Sequence, residues 1–368
     1  MYEHDNRVVM TLDAGGTNFV FTAIRECKEV VAPIRLDAVN DNIELCLQVL
    51  VKGFRMVEAA LNGVKPVAIS FAFPGPADYE HGIIGDLPNF PCFRGGVAMG
   101  PFLADTFGIP VFINNDGNLF AYGEALAGAL PEINAKLAEA GSSKRYRNLL
   151  GLTLGTGFGG GVVIDGNLLT GDNGCGGDVW LMRNAKYPDF ITEESVSIRA
   201  VKRVYHEKAP EDARDISPKE IFQIAEGNMD GNMIAARESF AELGRVAADA
   251  IIHAIDIVDG IVVVGGGIAN NWKYIFPAMV AEMNSTLGSF SGNRFPSLQI
   301  KTFDLTVPED MEEFLKDNSK MVKVLGSGRE VRYCNEMKTG VVFTHIGTST
   351  AISLGAYAFA LAQIDKRN

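Results

Sequence analysis

Twice in this chain, about half a chain apart, an apolar β-branched strand runs through a glycine turn directly into a second apolar strand, and this repetition constrains the fold more than any other feature. The first copy is Val8 to Leu12 (VVMTL), the turn Asp13 to Asn18 (DAGGTN) and the alternating run Phe19 to Arg25 (FVFTAIR). The second is Leu149 to Leu154, the turn Gly155 to Gly160 and Gly161 to Ile164. Apolar strands on either side of a glycine turn predict β-hairpins. Two such hairpins suggest an internal duplication of one α/β lobe, or two independent uses of one turn.

Strand and helix alternate between and beyond them. Ile43 to Asn62 has helical apolar spacing, and Val67 to Phe73 is a strand stopped by Pro74-Gly75-Pro76. A helix near Pro101 to Phe107 precedes the strand Val111 to Ile113, which ends in NNDGN (Asn114 to Asn118), and a helix from Leu119 to Ala129 follows. The helix Phe240 to Val258 leads to the strand Ile261 to Val264 and the turn Gly265-Gly266-Gly267. Phe303 to Arg332 reads as surface helices and a loop, and Thr348 to Ile364 as an apolar helix. With 368 residues, 47% of them hydrophobic, the chain is long enough for two lobes.

Charge and cysteine usage narrow the partners. A formal charge of −12 leaves no basic field for nucleic acid or an acidic membrane surface. Five scattered cysteines without a CxxC pair suggest neither a disulfide framework nor a thiolate zinc cage. The polar start, Met1 to Arg7, has no signal-type apolar region, and no run is long enough to span a bilayer. A reducing cytoplasm is the expected location.

The turns carry the chemistry. Asp13 to Asn18 has the ingredients of a phosphate loop: Gly15 and Gly16 for close backbone approach, Thr17 and Asn18 as donors, and Asp13 to hold Mg²⁺ through water. An ordinary hairpin turn favours the same residues. Gly155, Thr156 and Gly157 form a second candidate loop, and because a strand follows instead of a helix, a dinucleotide-binding Rossmann site is disfavoured. Gly265 to Gly267 place backbone against an adenine or ribose, or simply make a tight strand-to-helix turn. Asp116 follows the carboxyl end of an apolar strand, where open α/β sheets hold their ligands. There it acts as the general base that accepts a hydroxyl proton during phosphoryl transfer, or it caps the following helix.

The order DAGGTN, FPGP, NNDGN, LGTGFGGG, VVVGGG resembles the ROK family of bacterial sugar kinases and repressors along the length of the chain. The resemblance implies an α/β two-lobed actin-like ATPase (ribonuclease H-like) fold with a ligand cleft between the lobes. It implies a small lobe over 1–127 completed by a helix over 348–368, and a large lobe over 128–347 with insertions near 131–148 and 302–344. The implied activity is ATP- and Mg²⁺-dependent phosphorylation of a hexose, with glucose as the default, by a homo-oligomer. Asp13, Gly15, Gly16, Thr17 and Asn18 then match the first phosphate motif, Gly155, Thr156 and Gly157 the second, and Gly265, Gly266 and Gly267 the adenosine side. Asp116 matches the base, while Gly75, Asn89, Asn115, Asp178 and Glu193 match sugar-contacting positions, with Glu194 the alternative if the alignment is one residue off.

One segment departs from the family. Where the pattern reads Gly-Glu-Ile-Gly-His, this chain has Gly177-Asp178-Val179-Trp180-Leu181. The glutamate is shortened to Asp178, the histidine is replaced by Leu181, and the cysteine-rich zinc segment is missing, so no zinc site is expected. A sugar or nucleotide binder without catalysis is the alternative function, as a sensor or degenerate kinase. Family repressors carry an amino-terminal DNA-reading domain, for which the few residues before the first strand leave no room.

Overall fold

The computed structural model describes residues 2–15, 17–87 and 92–367, which pack as two compact units. The first comprises Met1–Gly128, Gly161–Gly177 and His345–Asn368, the second Ala129–Gly160 and Asp178–Thr344.

The chain opens with β1 (Val9–Ala14), β2 (Asn18–Arg25), β3 (Lys28–Glu29), β4 (Ile34–Asp37), α1 (Ile43–Ala60), β5 (Ala68–Ala72), β6 (Ala77–Asp78), β7 (Ile83–Ile84), α2 (Met99–Phe107), β8 (Val111–Asn114) and α3 (Asp116–Ala127). Their main sheet has the order β3-β2-β1-β5-β8, with β4 also on β2. β1 and β2 are the predicted hairpin, antiparallel from Val9↔Ile24 to Ala14↔Phe19. β1, β5 and β8 are parallel, in the registers Val9↔Ala68 and Ile69↔Val111. Parallel strands bury both faces, which is why VMTL and AISFA carry so little polar residue. On one face Phe54 of α1 packs its ring 5.1 Å from Phe21 and 6.0 Å from Phe71. Truncating such a buried ring costs about 3–5 kcal/mol.

The chain continues through α4 (Ala129–Glu139), β9 (Leu149–Leu154), β10 (Phe158–Ile164), β11 (Asn167–Leu168), α5 (Ile198–Lys208), α6 (Pro218–Glu226), α7 (Met233–Val258), β12 (Ile261–Gly265) and α8 (Trp272–Met283). Then come β13 (Thr286–Gly288), β14 (Arg294–Pro296), β15 (Lys301–Asp304), α9 (Pro308–Leu315), β16 (Lys320–Lys323), β17 (Glu330–Tyr333), β18 (Lys338–Phe343) and α10 (Thr348–Arg367). In the second unit β9, β12, β18 and β15 lie side by side in parallel. Every residue of β12 is buried.

The last helix, α10, belongs to the first unit, where it lies against β1, β5, β8 and α3. The α3 and α10 backbones touch at two glycines. A Cβ on Gly123 would stand 1.9 Å from the Ala351 carbonyl oxygen, and one on Gly355 would stand 1.9 Å from that of Leu119.

Three sequence expectations need correction. Residues 302–344 are not one insertion, because Lys301–Asp304 and Lys338–Phe343 are strands of the parallel sheet, paired Lys301↔Lys338. The reading of Phe303 to Arg332 as surface helices gives way to one short helix, α9, and a β16–β17 hairpin. Strand pairing across more than thirty residues leaves no local periodicity to read. Finally, α7 starts at Met233 instead of Phe240, where Asn232 accepts the Ala235 N–H as cap at 3.0 Å. Among the described residues no helix is long and apolar enough to cross a membrane.

Candidate active site

In the first unit the candidate residues collect at the carboxyl ends of parallel strands, where the backbone leaves the sheet. Asp13 is a residue of β1, paired in register with Val20, and Asn18 opens β2. The turn proper is therefore shorter than its motif and is closed by the Gly15 N–H donating to the Asn18 carbonyl at 3.0 Å. The Asn18 amide donates to Thr17 Oγ1 at 3.1 Å. The half-buried Asp13 carboxylate has no hydrogen-bond or ion-pair partner among the described residues. Gly16 and Asn89 lie outside the described residues.

β5 and β8 end side by side, in the register Ala72↔Asn114, with the Phe73 N–H donating to the Asn114 carbonyl at 2.9 Å. The Gly75 turn and the Asn115-Asp116 pair thus follow the ends of two adjacent parallel strands. Asp116 is not the cap of the helix that follows it. The cap of α3 is Asn115, whose side-chain oxygen accepts the Asn118 N–H at 3.0 Å, and Asp116 is the first helical residue. Buried Asn114 and Asn118 brace the turn: Asn114 Oδ1 accepts from the Asn115 N–H at 2.8 Å and from the Asn118 amide at 3.0 Å. Asp116 Oδ1 takes the N–H of the adjacent Gly117, at 3.0 Å. Its side chain is reachable by water, yet the protein packed around it desolvates the carboxylate and pushes its pKa above the usual value. The N–H groups of Gly117 and of Asp116 itself act in the opposite direction.

In the second unit the turn Gly155-Thr156-Gly157 is braced from its own side of the chain. The Gly155 N–H donates to the Gly157 carbonyl at 3.0 Å, and the Gly155 carbonyl accepts the Ile198 N–H at 3.0 Å. Glu193 sits under this turn. Its Oε2 accepts the Phe158 N–H at 3.0 Å, its Oε1 pairs with Arg199 at 3.0 Å, and a Cβ on Gly157 would come within 2.5 Å of Oε2. Arg199 also binds Glu194 at 2.6 Å, holding the Glu194 carboxyl below the usual range. Neither Ile198 nor Arg199 stood out in the sequence, since an arginine at the start of an amphipathic helix carries no local signal of what it will reach.

The third glycine turn lies next to the second. β9 and β12 are parallel neighbours, Thr153↔Gly265, and the Ile268 N–H donates to the Leu154 carbonyl at 3.0 Å. Gly265 is still in the strand. Gly266, at φ +93°, approaches so closely that a Cβ would meet the Leu154 oxygen at 2.3 Å. This part of the turn is required by packing. Gly155 and Gly267 are different, because a Cβ on either would meet nothing within 4 Å. They are open backbone at the ends of adjacent strands, the arrangement that lets amide N–H groups approach a phosphate.

A model of the ROK family matches residues 9–302. The chain belongs to the ROK family. A crystal structure of a glucokinase from Parabacteroides distasonis is 57% identical, covers 98% of this chain and 99% of its own, and superimposes with a TM-score of 0.89. The glucokinase of Thermotoga maritima is 29% identical over 304 residues, 76% of this chain and 89% of its own. A ROK family glucokinase from Streptomyces griseus, in complex with glucose and AMPPNP, has the same fold at 17% identity and a TM-score of 0.58, over 95% of this chain and 98% of that one. The fold is thus the actin-like ATPase fold of the ROK sugar kinases.

Against that family pattern the segment 177–181 remains divergent. Asp178 is half-buried and precedes a 3-10 turn over Val179–Leu181. Val179 is the buried anchor of the turn, whereas Leu181 is 54% exposed and offers no polar group. Among the described residues no three His, Cys, Asp or Glu side chains gather as a metal site.

Proposed function

We propose that this ROK protein transfers the terminal phosphate of ATP to a hexose hydroxyl, with Asp116 as general base and glucose as the preferred acceptor. ATP-dependent sugar phosphorylation is the activity that the glucokinase relatives support. The observation that carries Asp116 is its freedom. Among the described residues it is not the cap of α3 and pairs with no cation, and it stands just past the end of β8. As the sugar oxygen attacks phosphorus, its proton passes to the Asp116 carboxylate, and the raised pKa makes that carboxylate a better acceptor than an unperturbed aspartate. Gly75, Asn89, Asn115 and Asp178 are assigned to orienting the sugar.

The turn Gly155, Thr156 and Gly157 is assigned to the phosphates of ATP, with Gly15, Gly16, Thr17 and Asn18 as the matching loop of the first unit. Gly265 to Gly267 are assigned to the adenosine. The residues present fit a hydrated Mg²⁺, because Asp13 offers a half-buried carboxylate without a competing partner among the described residues. When bound with ATP, Mg²⁺ supplies neutralisation of the phosphate charge. Glu193 is assigned first to bracing the second loop and only through its remaining lone pairs to the sugar.

ADP release with Mg-ATP, measured across glucose, mannose, fructose, allose, N-acetylglucosamine and N-acetylmannosamine, tests the proposal. Turnover on one sugar that Asp116→Asn abolishes is the expected result. Thermal stabilisation by sugar or ATP without turnover on any of them would replace the kinase by a binding protein.

A further inference from the structure

The main sheet of the first unit ends on an open edge. β8 is the last strand in its order and pairs only with β5 among the described residues. The Ile69 N–H donates to the Pro110 carbonyl at 3.0 Å and the Phe73 N–H to the Asn114 carbonyl at 2.9 Å. By the alternation of a strand, Phe112 therefore turns its backbone to β5, while Val111 and Ile113 turn theirs outward. Along this edge runs a cavity of about 870 Å³, bounded by the β6–β7 hairpin, the chain around Asp172 and the end of α10. Its size is that of a small-molecule site. All of its lining belongs to the first unit, and among the described residues Gly75, Asn115 and Asp116 do not line it.

The lining selects the ligand. Asp78 is held by His81 at 2.8 Å, but Glu80, Asp172 and Lys366 have no ion-pair partner among the described residues. Arg367 lies over the Phe112 ring, 5.2 Å from its centre. Two cations against three carboxylates leave no net positive field for a phosphate, and so many polar groups disfavour an apolar ligand. Donors and acceptors set side by side suit hydroxyls, which act as both at one atom. Asn118 points the same way. It lines the cavity and is 3% exposed, and its Nδ2 donates to Asn114 at 3.0 Å, while its Oδ1 has no donor among the described residues. Buried acceptors are normally satisfied, and a ligand hydroxyl reaching Asn118 would satisfy this one.

We propose that this cavity is a second, non-catalytic site for a neutral sugar, apart from the site proposed at Asp116. Equilibrium dialysis of the full chain against labelled glucose and labelled maltose, a free sugar and the end of a longer one, tests this. Gln363→Trp, which fills the cavity from a partly exposed position on α10, is expected to remove one equivalent of bound sugar per chain. The loss should be the same in the wild type and in Asp116→Asn. Failure of the kinase proposal would differ, as absent turnover with this equivalent retained. Should the tryptophan disturb folding, Asp172→Ala with Lys366→Ala, both at exposed positions, is expected to raise the Kd of this equivalent at least ~10-fold. Glucose 6-phosphate is expected to displace it at least ~10-fold less well than glucose, because the carboxylates oppose its charge. Sugar binding that neither variant alters, or no binding of either sugar, overturns the proposal. So does stronger displacement by glucose 6-phosphate, which would make the cavity an anion site.

Discussion

The two glycine hairpins look alike in sequence and differ in what surrounds them. Both are closed by the N–H of their first glycine, which donates to the Asn18 carbonyl in one and to the Gly157 carbonyl in the other. The first leaves its acidic residue, Asp13, without a partner among the described residues. The second has its acid, Glu193, brought in from a distant segment and consumed by Phe158 and Arg199. A free carboxylate suits a hydrated cation. A carboxylate already engaged by a backbone N–H and an arginine suits holding a loop in shape. One pattern thus yields two devices, and the difference lies in residues outside the pattern.

The sharpest test of the assignment in the first unit is Asp116→Asn, which should lower kcat by roughly 10²–10⁴-fold in a coupled ADP assay. The folded state raises the Asp116 pKa, so it holds this proton to higher pH than the unfolded chain. The stability tied to it is therefore full below the unfolded pKa and lost as pH rises through the folded one. At neutral pH the neutral asparagine should melt no lower than the wild type. For the same reason the acid limb of kcat/KM should lie above the usual carboxylate range, since activity falls when Asp116 becomes protonated. An acid limb at the position of an exposed aspartate would remove Asp116 as the titrating base.

In the second unit neighbouring glycines separate folding from ligand contact. Gly266→Ala should destabilise by about 2–4 kcal/mol in denaturant titration, through its positive φ and the 2.3 Å approach to Leu154. Gly155→Ala and Gly267→Ala meet no protein atom and should melt within about 0.5–1 kcal/mol of the wild type, as Gly-to-Ala changes without strain do. If this open backbone approaches ATP, each added Cβ should still raise the KM for ATP about tenfold or more. Unchanged KM values would mean that these glycines are only turns.

The smallest effect expected is at Glu193. Its arginine pair is partly exposed, and Glu193→Gln, which can keep the Phe158 hydrogen bond, should cost no more than about 1 kcal/mol. Glu193→Ala loses that bond too. As a brace the residue should affect the KM for ATP in the alanine variant while the glutamine variant stays near wild type. A rise confined to the KM for sugar would restore it as a sugar contact and make the two hairpins more alike than their surroundings suggest.

Much of the framework was legible from sequence because it is local. VVMTL, AISFA, VFIN and IVVV are apolar runs ended by glycine, proline or asparagine, and each became a buried strand of a parallel sheet or hairpin. The 302–344 segment was misread because Lys301–Asp304 and Lys338–Phe343 are short and are strands only by virtue of each other and β12. The ambiguity at Asp116 was real at the level of composition, since aspartate and asparagine both cap helices. The Asn115 side chain on the Asn118 N–H removes the cap from Asp116.

The order of turns and strands along the chain determined the family, the two hairpins and the position of a free acid after β8, because strand period and turn chemistry are set by neighbours in sequence. Tertiary structure alone decided that Glu193 and Arg199 brace the second loop, that Gly266 is a packing residue while Gly155 and Gly267 are open, and that α10 seats on α3 through Gly123 and Gly355. Each of those outcomes depends on a contact between residues far apart in the chain, at distances where one Cβ or one carboxylate oxygen changes what fits.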